Sequence, residues 1–218
     1  MSILNPKQSS VKGRYIYFLE NKHEPIDETF ELDAQPGQWQ INSQRTAYGT
    51  QQKVKATVTA TGISRCDLHW RNFERKENCR IQYYADKRGI SWHRSSPQAS
   101  ETQQQTMGEM DIDDVFIVFP LMRIFTGIVF DAILANDGQA NVIAPNIGQK
   151  STPDDRYLPQ TNIRALHLHS PNCYGYTGGE HDDARFWLST QANSQGFLER
   201  YTWQQPKVGL WRSELELD

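Results

Sequence analysis

Residues 53–60 read KVKATVTA, with Val54, Ala56, Val58 and Ala60 alternating with Lys53, Lys55, Thr57 and Thr59. Successive side chains of a strand point to opposite faces, so this segment predicts a strand with one face in water and the other covered. The same period of two runs upstream. In GRYIYFLE (13–20), Tyr15, Tyr17 and Leu19 share one face and Arg14, Ile16 and Phe18 the other, and DETFELD (27–33) and GQWQIN (37–42) repeat the pattern around the turn residues Pro36 and Gly37. Downstream, RCDLHWRNF (65–73), CRIQYYAD (79–86) and GISWHR (89–94) predict further strands, the last two joined by the turn-forming residues 86–89, DKRG. These segments read as the opening strands of an antiparallel meander.

A covered face needs something to cover it, and DIDDVFIVFPLMRIFTG (111–127) is the candidate. Asp111 and Asp113 stand where helix N-caps are expected, and Leu121, Ile124, Phe125 and Ile128 keep helical spacing. The reading is a helix from near Asp114, kinked or restarted at Pro120 and ended near Gly127. IVFDAILA (128–135) and QANVIAP (139–145) flank Asn136-Asp137-Gly138, a strong hairpin signal, and so predict two strands. Three polar or Gly/Pro-bearing stretches read as loops: SSPQASETQQQTMG (95–108), expected to be mobile, GQKSTPDDRYLPQ (148–160) and PNCYGYTGGEHDD (171–183). NIRALHLHS (162–170), ARFWLS (184–189), GFLERYTWQ (196–204) and VGLWRSELEL (208–217) complete the set. With about a dozen strands against one helix, the chain departs far from average globular composition. It predicts a mostly β fold: an antiparallel curved sheet, half-barrel or open barrel, with one helical segment on its concave face. A single domain is expected over residues 1–218, with 1–12 flexible.

Composition excludes several classes of function. A net charge of -3 with scattered Lys and Arg leaves no basic field for a phosphate backbone, so no nucleic acid partner is expected. The one long apolar stretch, residues 115–134, is interrupted by Pro120, Arg123, Gly127 and Asp131, which argues against an integral membrane segment. The start, MSILNPKQSSVKGRY, lacks the basic and apolar regions of a secretory signal. The three cysteines show no CxxC spacing, so a reduced, cytoplasmic setting is expected.

Catalytic signatures are sparse. His167, His169, Cys173, His181, Asp182 and Asp183 are all metal-ligating types within one stretch, and His167 and His169 share a strand face. The spacing matches no structural zinc pattern, and such a pair also occurs on solvent faces without metal. Cys66 with His69 and Cys173 with His181 are conceivable thiol pairs, but Cys66 and His69 are odd-spaced and face opposite ways. The acid pairs at Asp111/Asp113/Asp114, Asp154/Asp155 and Asp182/Asp183 read as caps and loop solubilisers. No nucleophile elbow, phosphate-cradling loop or H-E-x-x-H is present, so no catalytic residue and no cofactor are assigned.

The six tryptophans are the remaining clue, because all fall on predicted strands. They fit either ordinary core or the lining of an apolar cavity for an acyl chain or other hydrophobic ligand. On the second reading Trp70, Trp92, Phe119, Arg123, Phe125, Trp187 and Trp203 are the candidate ligand-binding residues, with Arg71, Arg123, Arg185 and Arg200 as the cations that either meet an anionic head group at the rim or stand as surface charges. The primary expectation is therefore binding of a hydrophobic or amphiphilic small molecule without catalysis. One alternative is a small enzyme using His167, His169 and His181, with or without a metal. Another is a protein–protein interaction module working through its sheet edges.

Cys66-Asp67 followed by Trp70-Arg71, Gly89 and Trp92, Asp111-Ile112-Asp113, Arg123 after an apolar run, and Gly196-Phe197-Leu198 ahead of Trp203 and Leu210-Trp211 together resemble a bacterial glycolipid-binding family. That family shares a curved sheet and inserted helix with lipoprotein carriers. The matches are short and scattered over residues 13–217. The Gln/Ser-rich stretch before Asp111, the HLHSPNCYGYTGGEHDD stretch and the lack of a lipid-attachment cysteine near the start depart from the pattern. The resemblance implies an apolar or amphiphilic ligand.

Overall fold

Alternation becomes a meander in the computed structural model, which describes residues 10–97, 103–112, 116–147, 155–178, 181–192 and 194–218. Strands β1 (Ser10–Leu19), β2 (Ile26–Gln35), β3 (Gln38–Ala47), β4 (Thr50–Thr59), β5 (Gly62–Asn72), β6 (Glu77–Ala85), β7 (Gly89–Pro97) and β8 (Gln103–Asp111) pair antiparallel in sequence order. A short strand β9 (Phe116–Val118), a 3-10 turn (Arg123–Phe125) and helix α1 (Thr126–Leu134) follow. The second run comprises β10 (Gln139–Pro145), β11 (Pro159–Ser170), β12 (Cys173–Gly178), β13 (His181–Leu188), β14 (Leu198–Gln205) and β15 (Gly209–Leu217).

Among the described residues, fifteen strands form one sheet, in the order β8-β7-β6-β5-β4-β3-β2-β1-β15-β14-β13-β12-β11-β10-β9. The β1–β15 pairing welds the two runs together, and the β9–β10 pair is parallel. Strands β8 and β9 are the two edges, so the sheet is open and curved. Side chains bridge its ends where the backbone ladder stops. Tyr83 donates its hydroxyl to the Tyr157 carbonyl, Arg94 Nε donates to the Arg156 carbonyl at 2.9 Å, and Arg156 pairs with Glu77 at 3.0 Å.

The concave face is lined by every second residue of each strand, and the 3-10 turn and α1 pack onto it. Met122, Ile124, Phe125, Val129, Phe130 and Ile133 are all buried. Aromatic side chains carry much of the contact: Phe130 lies 5.0 Å from Phe186, Phe186 4.8 Å from Tyr201, and Tyr15 5.5 Å from Phe30. The three cysteines are buried and unpaired. All six tryptophans lie on strands.

Several expectations require correction. Residues 95–108 are not one loop: β7 runs to Pro97 and β8 starts at Gln103, residues 98–102 lying outside the described ones. A ladder is made by backbone groups and tolerates a Gln- and Thr-rich strand, and polarity suits an edge. The helix does not start near Asp114 or end at Gly127. Asp111 belongs to β8, residues 113–115 lie outside the described ones, and IVFDAILA is helical, not a strand. Asp137 (φ 56°) and Gly138 (φ 79°) have the positive φ that a hairpin turn requires, but here they terminate α1, with the Gly138 amide donating to the Ile133 carbonyl at 3.0 Å. The stretch 171–183, expected as a loop, holds all of β12 and the start of β13. Its Gly175 permits a close crossing, since a Cβ there would come within 2.0 Å of the His167 ring. Of residues 1–12, 1–9 lie outside the described ones and 10–12 belong to β1.

Candidate ligand-binding cleft

Inward alternation brings Tyr17, Ile26, Arg45, Gln52, Trp70 and Trp211 to one end of the concave face, where they line a cleft of about 310 Å³ with Tyr48, Ile147 and Tyr157. The tight β3–β4 turn closes one side, and its Tyr48 (φ 47°) and Gly49 (φ 71°) adopt the left-handed pair of a two-residue hairpin. The Phe73 amide donates to the Gly49 carbonyl at 2.8 Å, which fixes the β5–β6 connection beside that turn. Tyr48, Phe73 and Ile147 are 58%, 55% and 49% exposed, so the rim is apolar and open to solvent.

Trp70 and Tyr157 form one wall, with ring centroids 5.6 Å apart and the Arg156 guanidinium 5.2 Å from the indole. The floor is polar and tied together by hydrogen bonds. Arg45 donates to Gln52 at 3.0 Å and lies 5.7 Å from the Tyr17 ring, while Gln52 donates to the Pro120 carbonyl at 3.2 Å. Tyr17 donates its hydroxyl to the carboxylate of Glu28, which is wholly buried. The other oxygen of Glu28 accepts from the Ile124 amide at 3.1 Å, at the start of the 3-10 turn. A carboxylate there satisfies a helix-end donor that no local side chain caps. Burial pushes the Tyr17 hydroxyl up well beyond its ordinary range, with Glu28 adding to the shift and Arg45 and Arg123 opposing it. Tyr17 is therefore a fixed hydrogen-bond donor, not a titrating base.

Of the residues expected to bind ligand, Trp70 lines this cleft. Arg123 lies behind it, 5.8 Å from the Tyr17 ring and 4.1 Å from that of Tyr201. Burial raises the Tyr201 hydroxyl to about 12 against the opposing charge of Arg123. Phe119 and Phe125 are buried in the core cluster, Trp203 is buried on β14, and Trp92 is half-buried on β7 against Gly108. Trp187 carries Arg200 over its ring at 4.0 Å, on the face opposite buried Phe186 and Leu188. Sequence reasoning missed Tyr17, Arg45, Gln52 and Tyr157 as site residues. The inward alternation of β1, β3 and β4 was the available signal for the first three.

His167 and His169 are exposed on β11, and the His181 side chain lies outside the described residues. Among the described residues, no three of His, Cys, Asp and Glu gather to hold a metal. Cys66 is fully buried and His69 belongs to the other face of β5. No helix among the described residues is long and apolar enough to cross a membrane.

No family model matches the chain, and no curated protein matches it. Among solved structures it is similar to a β-barrel-like protein of domain of unknown function DUF1849 from Brucella abortus. That structure aligns with a TM-score of 0.54 at 11% identity, over 96% of this chain and 97% of the other. The likeness supports the curved-sheet fold. It does not extend to the glycolipid-binding family or the lipoprotein carriers.

Proposed function

We propose that the chain binds a small amphiphile, with a lipid-like or other hydrophobic body and an anionic group, in the cleft between Trp70 and Arg45, without turning it over. The observation that carries this reading is the pairing of an open aromatic wall with an inward guanidinium at the end of a core otherwise lined by buried Phe and aliphatic side chains. Apolar walls with few placed polar groups are the usual make-up of small-molecule sites, and the cleft volume falls at the lower end of their range. The Arg45 charge is held in place by Gln52 and Tyr17 before any ligand arrives, which lowers the ordering cost of binding.

The test is a tryptophan-fluorescence titration with decanoate and with a decyl ammonium of equal tail length. Decanoate is expected to bind saturably and more tightly than the cation. Trp70→Ala and Arg45→Gln are each expected to weaken decanoate about tenfold, or about 1.4 kcal/mol. Equal binding of both amphiphiles, unchanged in a folded Trp70→Ala variant, would contradict the proposal.

A further inference from the structure

The convex face of the sheet carries a second concavity, about 670 Å³, on the side opposite the cleft residues. Strand register makes it a ladder of polar side chains. One row runs Gln44, Lys53, His69, Arg80 across β3 to β6, and the next runs Asn42, Lys55, Asp67, Gln82 across the same strands. The alternating Lys of KVKATVTA thus face outward into a hollow, not onto a flat solvated surface.

The charges there do not balance locally. Asp67 accepts from Arg80 at 2.8 and 3.1 Å and from Gln82 at 2.8 Å, with Arg65 at 3.8 Å. Glu31 is taken by Lys12 at 2.5 Å and Glu216 by Arg14 at 2.7 Å. Asp33 and Asp218 stand toward Lys12, whose ammonium their charges favour. Lys53, Lys55 and Arg71 have no carboxylate within ion-pair distance among the described residues. Arg71 donates to His69 Nε2 at 3.3 Å, so His69 is held as the neutral acceptor. Burial lowers the His69 imidazole below its ordinary range, and Arg71, Arg80 and Lys53 lower it further against the opposing Asp67. Cations outnumber carboxylates along the lining, and Lys53 and Lys55 stand beside the uncharged His69 and the amides of Asn42 and Gln44, which leaves donors and positive potential facing the hollow.

We propose that this hollow is an anion site in which Lys53, Lys55 and His69 hold a phosphate- or sulfate-bearing group, with Asn42 and Gln44 donating to its oxygens and Arg71 placed beside His69. Anion binding offsets the repulsion that keeps His69 neutral, so binding takes up a proton at His69. Affinity rises as pH falls through the imidazole's range, and adding salt weakens it. The groups that face His69 are Asp67 and Arg71 on its own strand, Lys53 and Lys55 on β4 and Arg80 on β6.

Titration with pyrophosphate, followed by NMR of the His69 imidazole, tests the site. The expected result is saturable binding, a His69 midpoint raised by about half a pH unit or more, and affinity reduced about tenfold in Lys53→Gln. His69→Gln is expected to abolish the pH dependence while leaving binding at pH 8. Both substitutions fall on the outer face, and decanoate affinity serves as the control for an intact fold and cleft. Vesicles containing phosphatidylglycerol separate the sources of the phosphate. Lys53-dependent binding to vesicles beyond that to pyrophosphate supports a lipid headgroup, and Lys53-dependent binding to pyrophosphate alone supports a soluble anion. An unmoved His69 midpoint under saturating pyrophosphate, or unchanged affinity for both phosphate sources in Lys53→Gln, overturns the proposal.

Discussion

Phe125→Asp is expected to leave the protein without a cooperative thermal transition. Phe125 closes the 3-10 turn, is wholly buried and belongs to the core formed between the helical segment and the sheet. Truncating a buried Phe costs about 3–5 kcal/mol through lost transfer energy and the cavity left behind. The new carboxylate would be an unpaired charge in the same place, which adds several kcal/mol more or forces protonation. Together these match the total stability of about 5–15 kcal/mol that a domain commands. Loss of near-ultraviolet circular dichroism and of the melting transition is the readout. A sharp melt within a few degrees of wild type would show that the helical segment does not hold the sheet in its curved form.

Glu28→Ala is expected to be the second most damaging single change, and for a different reason. Glu28 sits on β2 and reaches both Tyr17 on β1 and the Ile124 amide. It ties the cleft floor to the start of the helical segment. Alanine leaves two buried donors, the Tyr17 hydroxyl and the Ile124 amide, without their acceptor, at about 1–3 kcal/mol each. It also removes the buried negative charge that favours the Arg45 guanidinium. A loss of about 2–5 kcal/mol follows, read as a fall in the denaturation midpoint. Glu28→Gln keeps an acceptor for the Ile124 amide and a polar partner for Tyr17, so it should lose clearly less. If Glu28→Ala and Glu28→Gln melt together at the wild-type temperature, the carboxylate does not anchor the helical segment to the sheet.

Sheet and concave core were legible because they rest on local periodicity. KVKATVTA, GRYIYFLE and DETFELD each state their own buried face, and Tyr15, Phe30 and Val54 all lie where the alternation puts them. The helix boundaries were not, because IVFDAILA is apolar at every position but Asp131: a helix buried on the concave side and a buried strand share that pattern. Asn136-Asp137-Gly138 gave a true positive-φ signal whose meaning, hairpin or helix end, depends on what precedes it. The polar β8 carried no apolar signal because its pairing with β7 is a backbone matter.

The cleft was less legible than the fold. Tyr17, Arg45, Gln52, Trp70 and Trp211 are spread across the chain and meet only through the register of β1 to β5 and the β1–β15 closure. Aromatic content pointed to tryptophan as a class, but it could not separate Trp70 at the cleft from Trp187 beneath Arg200. The closely spaced His167 and His169 drew attention by proximity in sequence, which on an exposed stretch of strand is no measure of convergence.

The six tryptophans offer the most direct test of the cleft. In a nitrogen-15 spectrum each indole N–H gives its own resonance, and titration with decanoate reports which of them meet the ligand. Binding in the cleft is expected to give saturable shifts at Trp70 and Trp211, which line it, with the indoles of Trp39, Trp92, Trp187 and Trp203 close to their starting positions. Shifts confined to those other four, or no saturable shift at Trp70, would contradict it.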